Sequence, residues 1–202
     1  MKKLIFLIFI FLIFSTVGYS KTLIAYFTWA ENTVVKNSKN IDIDSIASAS
    51  IISPGNTAQI AQYIQSINGG DILSIITTNS YPDNFKECLE RVTKERNLNA
   101  RPELKESLEN MDEYDIIFLG YPNWGYTSPM AVFTFLERYD FTGKTIIPFS
   151  VHGTGGLAES INDIKKATPT ANHLMPLSLT RSDMKDYKKY VEKWLNEIEV
   201  DK

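Results

Sequence analysis

Cysteine is nearly missing from this chain: Cys88 is the only one in 202 residues. A single thiol excludes an intramolecular disulfide and a thiolate metal cluster. Set in a helical pattern, it reads as a small buried hydrophobe. Histidine is almost as scarce, at His152 and His173, and His173 has no obvious partner. No metal-ligand cluster and no nucleophile beside a base stands out, so nothing indicates a metal centre or a hydrolase. Positive charge is not in excess either. The formal net charge is −3, and no nucleic-acid partner is expected. There is no internal repeat and no low-complexity tract beyond the first residues.

One apolar run stands out, and it is at the start. Lys2 and Lys3 precede Leu4 to Phe14, and small and polar residues follow from Ser15 to Ser20. Gly18 and Ser20 sit at −3 and −1 of a cleavage site before Lys21. This is the layout of a secretory signal peptide over residues 1–20, and the expected product is exported. The run is shorter than the ~20 residues that span a bilayer, so no stable membrane insertion is expected after cleavage. An uncleaved anchor is the alternative. Losing both lysines takes the formal charge from −3 to −5. The whole chain is 44% apolar and 22% charged, and residues 21–202 are expected to form one domain with a sizeable core.

Strand and helix patterns alternate through that domain. Near-continuous apolar runs at Thr22 to Phe27, Asp71 to Thr77, Asp115 to Leu119, Lys144 to Phe149 and Leu174 to Leu179 read as strands buried on both faces. Helical spacing appears over Thr57 to Ile67, Asn84 to Arg96, Met130 to Tyr139, Leu157 to Ala167 and Asp183 to Ile198. The order predicts an α/β fold with a five-stranded parallel sheet covered on both sides, a three-layer sandwich. Ligands bind such sheets beyond the carboxyl ends of the strands, so the loops there are the place to look.

Three of those loops are unusual. After the first strand comes Thr28-Trp29-Ala30-Glu31-Asn32-Thr33, then a polar stretch without helical period. The helix starts only after Pro54-Gly55-Asn56-Thr57. Asn56 or Thr57 can cap it and leave its first amides facing an anion. The reading is a split phosphate loop, Thr28 and Trp29 with Gly55, Asn56 and Thr57, and an insertion at 30–53. The plainer alternative is a turn and a cap alone. The second loop is Gly120-Tyr121-Pro122-Asn123-Trp124-Gly125-Tyr126-Thr127-Ser128-Pro129. Its three aromatics cannot all enter the core without unpaired polar atoms, and an aromatic platform for a flat ligand is expected. A rigid surface loop is the alternative. The third is Ser150-Val151-His152-Gly153-Thr154-Gly155-Gly156, able to form a nest of backbone donors. There His152 either bonds a ligand or fixes the loop.

Taken in order, Tyr26-Phe27-Thr28-Trp29, Gly55-Asn56-Thr57, Gly120-Tyr121-Pro122-Asn123-Trp124, Phe135-Leu136-Glu137, Phe141-Thr142-Gly143-Lys144 and His152-Gly153-Thr154-Gly155-Gly156 resemble the flavodoxin family, above all its exported bacterial branch. The resemblance spans roughly residues 21–200. It implies a flavodoxin-like sheet of order 2-1-3-4-5 and one non-covalent FMN. Carried over, Thr28, Trp29, Gly55, Asn56 and Thr57 hold the phosphate. Pro122, Asn123, Trp124 and Gly125 line the isoalloxazine, His152 and Gly153 face its pyrimidine edge, and Tyr81 sits near the ring. Two positions depart from the family's continuous phosphate loop: Ala30 replaces a hydroxyl and Glu31 a glycine.

Three functions follow from that resemblance. The first is an FMN electron carrier with a redox partner protein or a small electron donor or acceptor. The second is an FMN-dependent NAD(P)H or quinone oxidoreductase. The third is a flavin-free binding module on the same fold.

Overall fold

The computed structural model describes residues 20–36 and 49–198. The expected leader, but for Ser20, and residues 37–48 of the expected insertion lie outside them. Six strands form one sheet: β1 (Thr22–Tyr26), β2 (Asp71–Ser74), β3 (Ile116–Pro122), β4 (Thr145–His152), β5 (Asn172–His173) and β6 (Leu177–Thr180). Every pairing is parallel. The order is β2-β1-β3-β4-β5, with β6 also on β4. This is the flavodoxin-like order 2-1-3-4-5.

The fifth position of the sheet is in two pieces, where the sequence suggests one strand over Leu174 to Leu179. β5 pairs with Thr145 and Ile146, and β6 with Phe149 to His152. Between them, the Met175 carbonyl accepts a hydrogen bond from the Trp194 indole at 2.9 Å. Pro176 has no N–H to give the ladder, so pairing lapses there. β2 also departs from expectation. It is an edge strand, mostly exposed, because no strand flanks its outer side.

The helices are α1 (Asn56–Asn68), α2 (Phe85–Asn97), α3 (Met130–Arg138), α4 (Ser160–Ala167) and α5 (Tyr187–Glu197). Alternation along β3 divides the core. Ile117, Leu119 and Tyr121 join Cys88 and Val92 of α2 and Phe133 and Leu136 of α3. Ile116 and Phe118 join Ile60 and Ile64 of α1 and Val191 and Trp194 of α5. Side chains on both faces of β3 therefore meet helices, which explains its long apolar run. Among the described residues, no helix is long and apolar enough to cross a membrane.

Candidate functional site

β2 lies on one side of β1, and β3 and β4 lie on the other. The winding reverses between β1 and β3, so the loops after these strands flank the crevice that such sheets use for ligands.

The loop after β1 meets the start of α1. Gly55 is the N-cap of α1, at φ 82°, a left-handed conformation that favours glycine. A β-carbon added there would lie 2.2 Å from the Thr28 hydroxyl oxygen. Glycine is thus required twice, by conformation and by space. The first turn of α1 holds no acid and its cap makes no side-chain hydrogen bond. Its first amides have no partner within the helix. Thr28 therefore meets Gly55, and Asn56 and Thr57 follow as the first residues of α1, whose positive end faces this loop.

Glu31, which the sequence puts at the phosphate, is occupied elsewhere. The Tyr26 hydroxyl donates to it at 2.9 Å, and the Ser74 hydroxyl donates to its other oxygen. Burial and the nearby Glu31 carboxylate push the Tyr26 hydroxyl well above the ordinary tyrosine range. Next in sequence, Asn32 fixes the loop. Its amide donates to the carbonyls of Thr28 (3.0 Å) and Ile75 (2.9 Å), and its oxygen accepts from the N–H (2.8 Å) and hydroxyl (3.1 Å) of Thr77. Asn32 was not among the expected site residues, since a polar residue inside a polar loop carries no periodic signal.

Three residues expected to touch the flavin, Trp29 at its phosphate and Tyr81 and Trp124 at its ring, are inside the protein. Trp29 is buried, and its indole N–H donates to the Pro82 carbonyl at 3.0 Å. Tyr81 is buried too, its hydroxyl on Glu95 at 2.8 Å and its ring under the Arg91 guanidinium at 3.8 Å. Trp124 is only 6% exposed. Its ring centroid lies 5.0 Å from Tyr81, 5.3 Å from Phe27 and 6.2 Å from Trp29. The loop after β3 is thus no open aromatic platform, as the sequence suggested. α2 covers Trp124, and burying these rings outweighs their display. The aromatic left outside is Tyr126, 69% exposed.

Backbone forms most of what remains of that loop. Gly125 (φ 64°) and Tyr126 (φ 68°) make a tight turn, and the Trp124 N–H donates to the Thr127 carbonyl at 2.7 Å. Arg96 of α2 holds the Gly125 carbonyl at 2.5 Å. Asn123 donates to the Gly156 carbonyl, which joins this loop to the one after β4. In that loop, His152 is turned to β6. Its Nε2 lies 2.9 Å from the Ser178 hydroxyl and its Nδ1 3.2 Å from the Gly153 carbonyl. Both ring nitrogens are engaged within the protein, so His152 fixes the loop. Pro122 ends β3 and pairs in register with Val151.

The sequence profile of the flavodoxin family matches residues 45–198. No curated protein matches the chain. Among solved structures, it is similar to a candidate flavoprotein from Bacteroides eggerthii, at 27% identity and TM-score 0.68, over 90% of this chain and 99% of that one. A second from Bacteroides uniformis matches at 25% identity and TM-score 0.61, over 84% and 98%. A flavoprotein in complex with FMN from Lactobacillus acidophilus shares the fold, at 14% identity and TM-score 0.58, over 85% and 99%.

Proposed function

The chain belongs to the flavodoxin family, and from that premise we propose that it binds one FMN and transfers electrons outside the cytoplasm. The observation that carries the reading is the approach of Thr28 to Gly55 at the acid-free start of α1. A phosphate dianion suits that donor set, since the helix end is positive and Glu31, in the loop before it, is held by Tyr26 and Ser74. Thr28 and Thr57 supply hydroxyls, and residues 55–57 supply amides. Backbone of Asn123 to Gly125 and of His152 to Gly153 forms the walls for the ring. Trp29, Tyr81 and Trp124 act from beneath, as the packed support of those walls.

The flavin, when bound, supplies the electron chemistry, and the protein holds and orients it. A carrier is favoured over a reductase because Glu31 beside the cradle and His152 beside the ring wall are both engaged within the protein.

Export is proposed with it. β1 begins at Thr22, and the Lys21 side chain already pairs with Asp71 (3.1 Å) and Glu113 (2.8 Å). The Lys21 backbone nitrogen lies 3.3 Å from Asp115 Oδ2. Cleavage before Lys21 would therefore set a new ammonium beside a carboxylate and leave the sheet intact.

The test is titration of the mature protein, residues 21–202, with FMN and with riboflavin. FMN is expected to bind far more tightly, and Thr28→Val to erase most of the difference. Equal affinity for both flavins, or none for either, rejects the reading. With FMN bound, rapid bleaching by NADPH alone would replace the carrier by a reductase.

A further inference from the structure

A cleft of about 570 Å³ lies against α3, away from the proposed phosphate cradle. α3 packs between α2 and α4. Met130 and Phe133 of α3 give the cleft an apolar floor, Arg96 and Arg101 stand on the α2 side, and Glu159 and Asp163 stand on the α4 side. Its volume is in the range that takes small organic ligands. None of Thr28, Gly55, Asn56, Thr57, His152 or Gly153 lines it.

Most of its charges are already spent. Arg101 forms a two-pronged pair with Glu137, with Nε at 2.6 Å. Lys166 pairs with Asp163 at 3.2 Å. Two charges remain. Arg96 gives one nitrogen to the neutral Gly125 carbonyl, and no carboxylate pairs with it among the described residues. Glu159, on the other side, accepts only a long bond of 3.4 Å from Asn162.

The cleft ends at Tyr126. This residue holds a left-handed backbone, φ 68°, which a residue with a β-carbon adopts at a cost. Its carbonyl is fastened by the Glu159 N–H at 3.1 Å, while its ring stays 69% exposed at the cleft. A strained backbone that keeps an aromatic ring outside is a feature of a binding surface more than of a core.

We propose that this cleft binds a small planar aromatic acid with a hydrogen-bond donor at the end away from its carboxylate. The carboxylate pairs with the unspent donors of Arg96. The ring lies on Phe133 and Met130 beside Tyr126, and the distal donor bonds Glu159. The site lies apart from the phosphate cradle and meets the proposed ring wall at Gly125.

The probe is 6-hydroxy-2-naphthoate, titrated by calorimetry into the mature protein, with 2-naphthoate and 2-naphthol as partial ligands. Saturable one-to-one binding is expected, stronger than for either partial ligand. Arg96→Gln should weaken it at least tenfold, and Arg96→Lys, which keeps the cation and a donor for Gly125, should restore part. Tyr126→Asn, which tolerates the left-handed backbone, should weaken it several-fold and leave FMN affinity unchanged. Glu159→Gln should weaken the hydroxylated probe more than 2-naphthoate. No saturable binding by the unmodified protein overturns the proposal. So does binding indifferent to both Arg96→Gln and Tyr126→Asn, or displacement of FMN by the probe.

Discussion

The hydroxyl oxygen of Thr28 lies 2.2 Å from where a β-carbon on residue 55 would stand. The end of β1 and the start of α1 can meet only if residue 55 is glycine. Gly55→Ala is therefore expected to destabilise the fold by about 1–3 kcal/mol, from left-handed backbone and overpacking together. It should also weaken FMN at least tenfold while changing riboflavin affinity far less. Urea denaturation and parallel flavin titrations read the two effects. An alanine variant with unaltered preference for FMN over riboflavin would remove Gly55 from the phosphate site.

Asn32 makes four hydrogen bonds that tie the loop after β1 to the chain beyond β2. Asn32→Leu leaves the Thr77 N–H and the carbonyls of Thr28 and Ile75 buried without their partner. Such groups cost about 1–3 kcal/mol each, partly relieved by water. A loss of about 3 kcal/mol in urea denaturation is expected, with an unchanged m value. Since the Thr28 carbonyl is one of the four partners, FMN affinity should fall too. A stable Asn32→Leu protein that binds FMN normally would make this network incidental.

The sheet was legible because its central strands carry long apolar runs, as at Ile116 to Leu119 and Ile146 to Phe149. The helix start at Gly55 was legible because glycine punctuates it, and that signal is local. Trp124 was not. Aromatics between glycines and prolines say that a loop is rigid, but whether they face in or out depends on α2, which is distant in sequence. Trp29 and Tyr81 misled for the same reason. The break at Pro176 was in plain view, yet the apolar residues on either side masked it. Glu31 stood out only as a departure from the family's glycine, because its partners, Tyr26 and Ser74, come from two different strands.

Trp124 packs on Phe27, Trp29 and Tyr81 at centroid distances of 5.3, 6.2 and 5.0 Å. Removing its ring opens a cavity at the centre of that cluster. Trp124→Ala should cost about 3–5 kcal/mol, and Trp124→Phe much less. Near-ultraviolet circular dichroism should lose intensity in both. If Trp124→Ala loses flavin affinity without losing stability, the indole faces the flavin and does not merely support the loop.

Acid should loosen both ends of the sheet, at Asp71 and Glu113, which start β2 and precede β3, and at Asp183 after β6. The Tyr114 hydroxyl, and after it Lys21, holds the Asp71 carboxyl below its ordinary range. Lys21 does the same for Glu113, and the Thr180 hydroxyl, bonded at 2.5 Å, does so for Asp183. A carboxyl with a lowered value in the folded state adds stability above its unfolded value and loses it as pH falls through the folded one. Stability should thus decline from about pH 4 downward. Tyr114→Phe and Thr180→Val should each flatten that decline, read as urea midpoints across the acid range. Curves parallel to the unmodified protein would count against these contacts.

Cys88 reports on α2. It is buried with Val92 against the aromatic cluster, and burial pushes its thiol far above the usual cysteine range. The thiolate is the reactive form, so in the folded protein at pH 8 an aromatic disulfide reagent should find almost nothing to attack. In urea the same thiol should react within minutes. At low urea, its rate then measures how often α2 lifts from Trp124 and Tyr81. If α2 leaves only when the whole domain unfolds, Trp124→Ala should speed the reaction by the factor by which it lowers global stability. A smaller factor would show that α2 opens by itself, exposing Trp124 and freeing the Gly125 carbonyl from Arg96. A fast reaction in the unmodified protein, without urea, would contradict the packing of α2 described above.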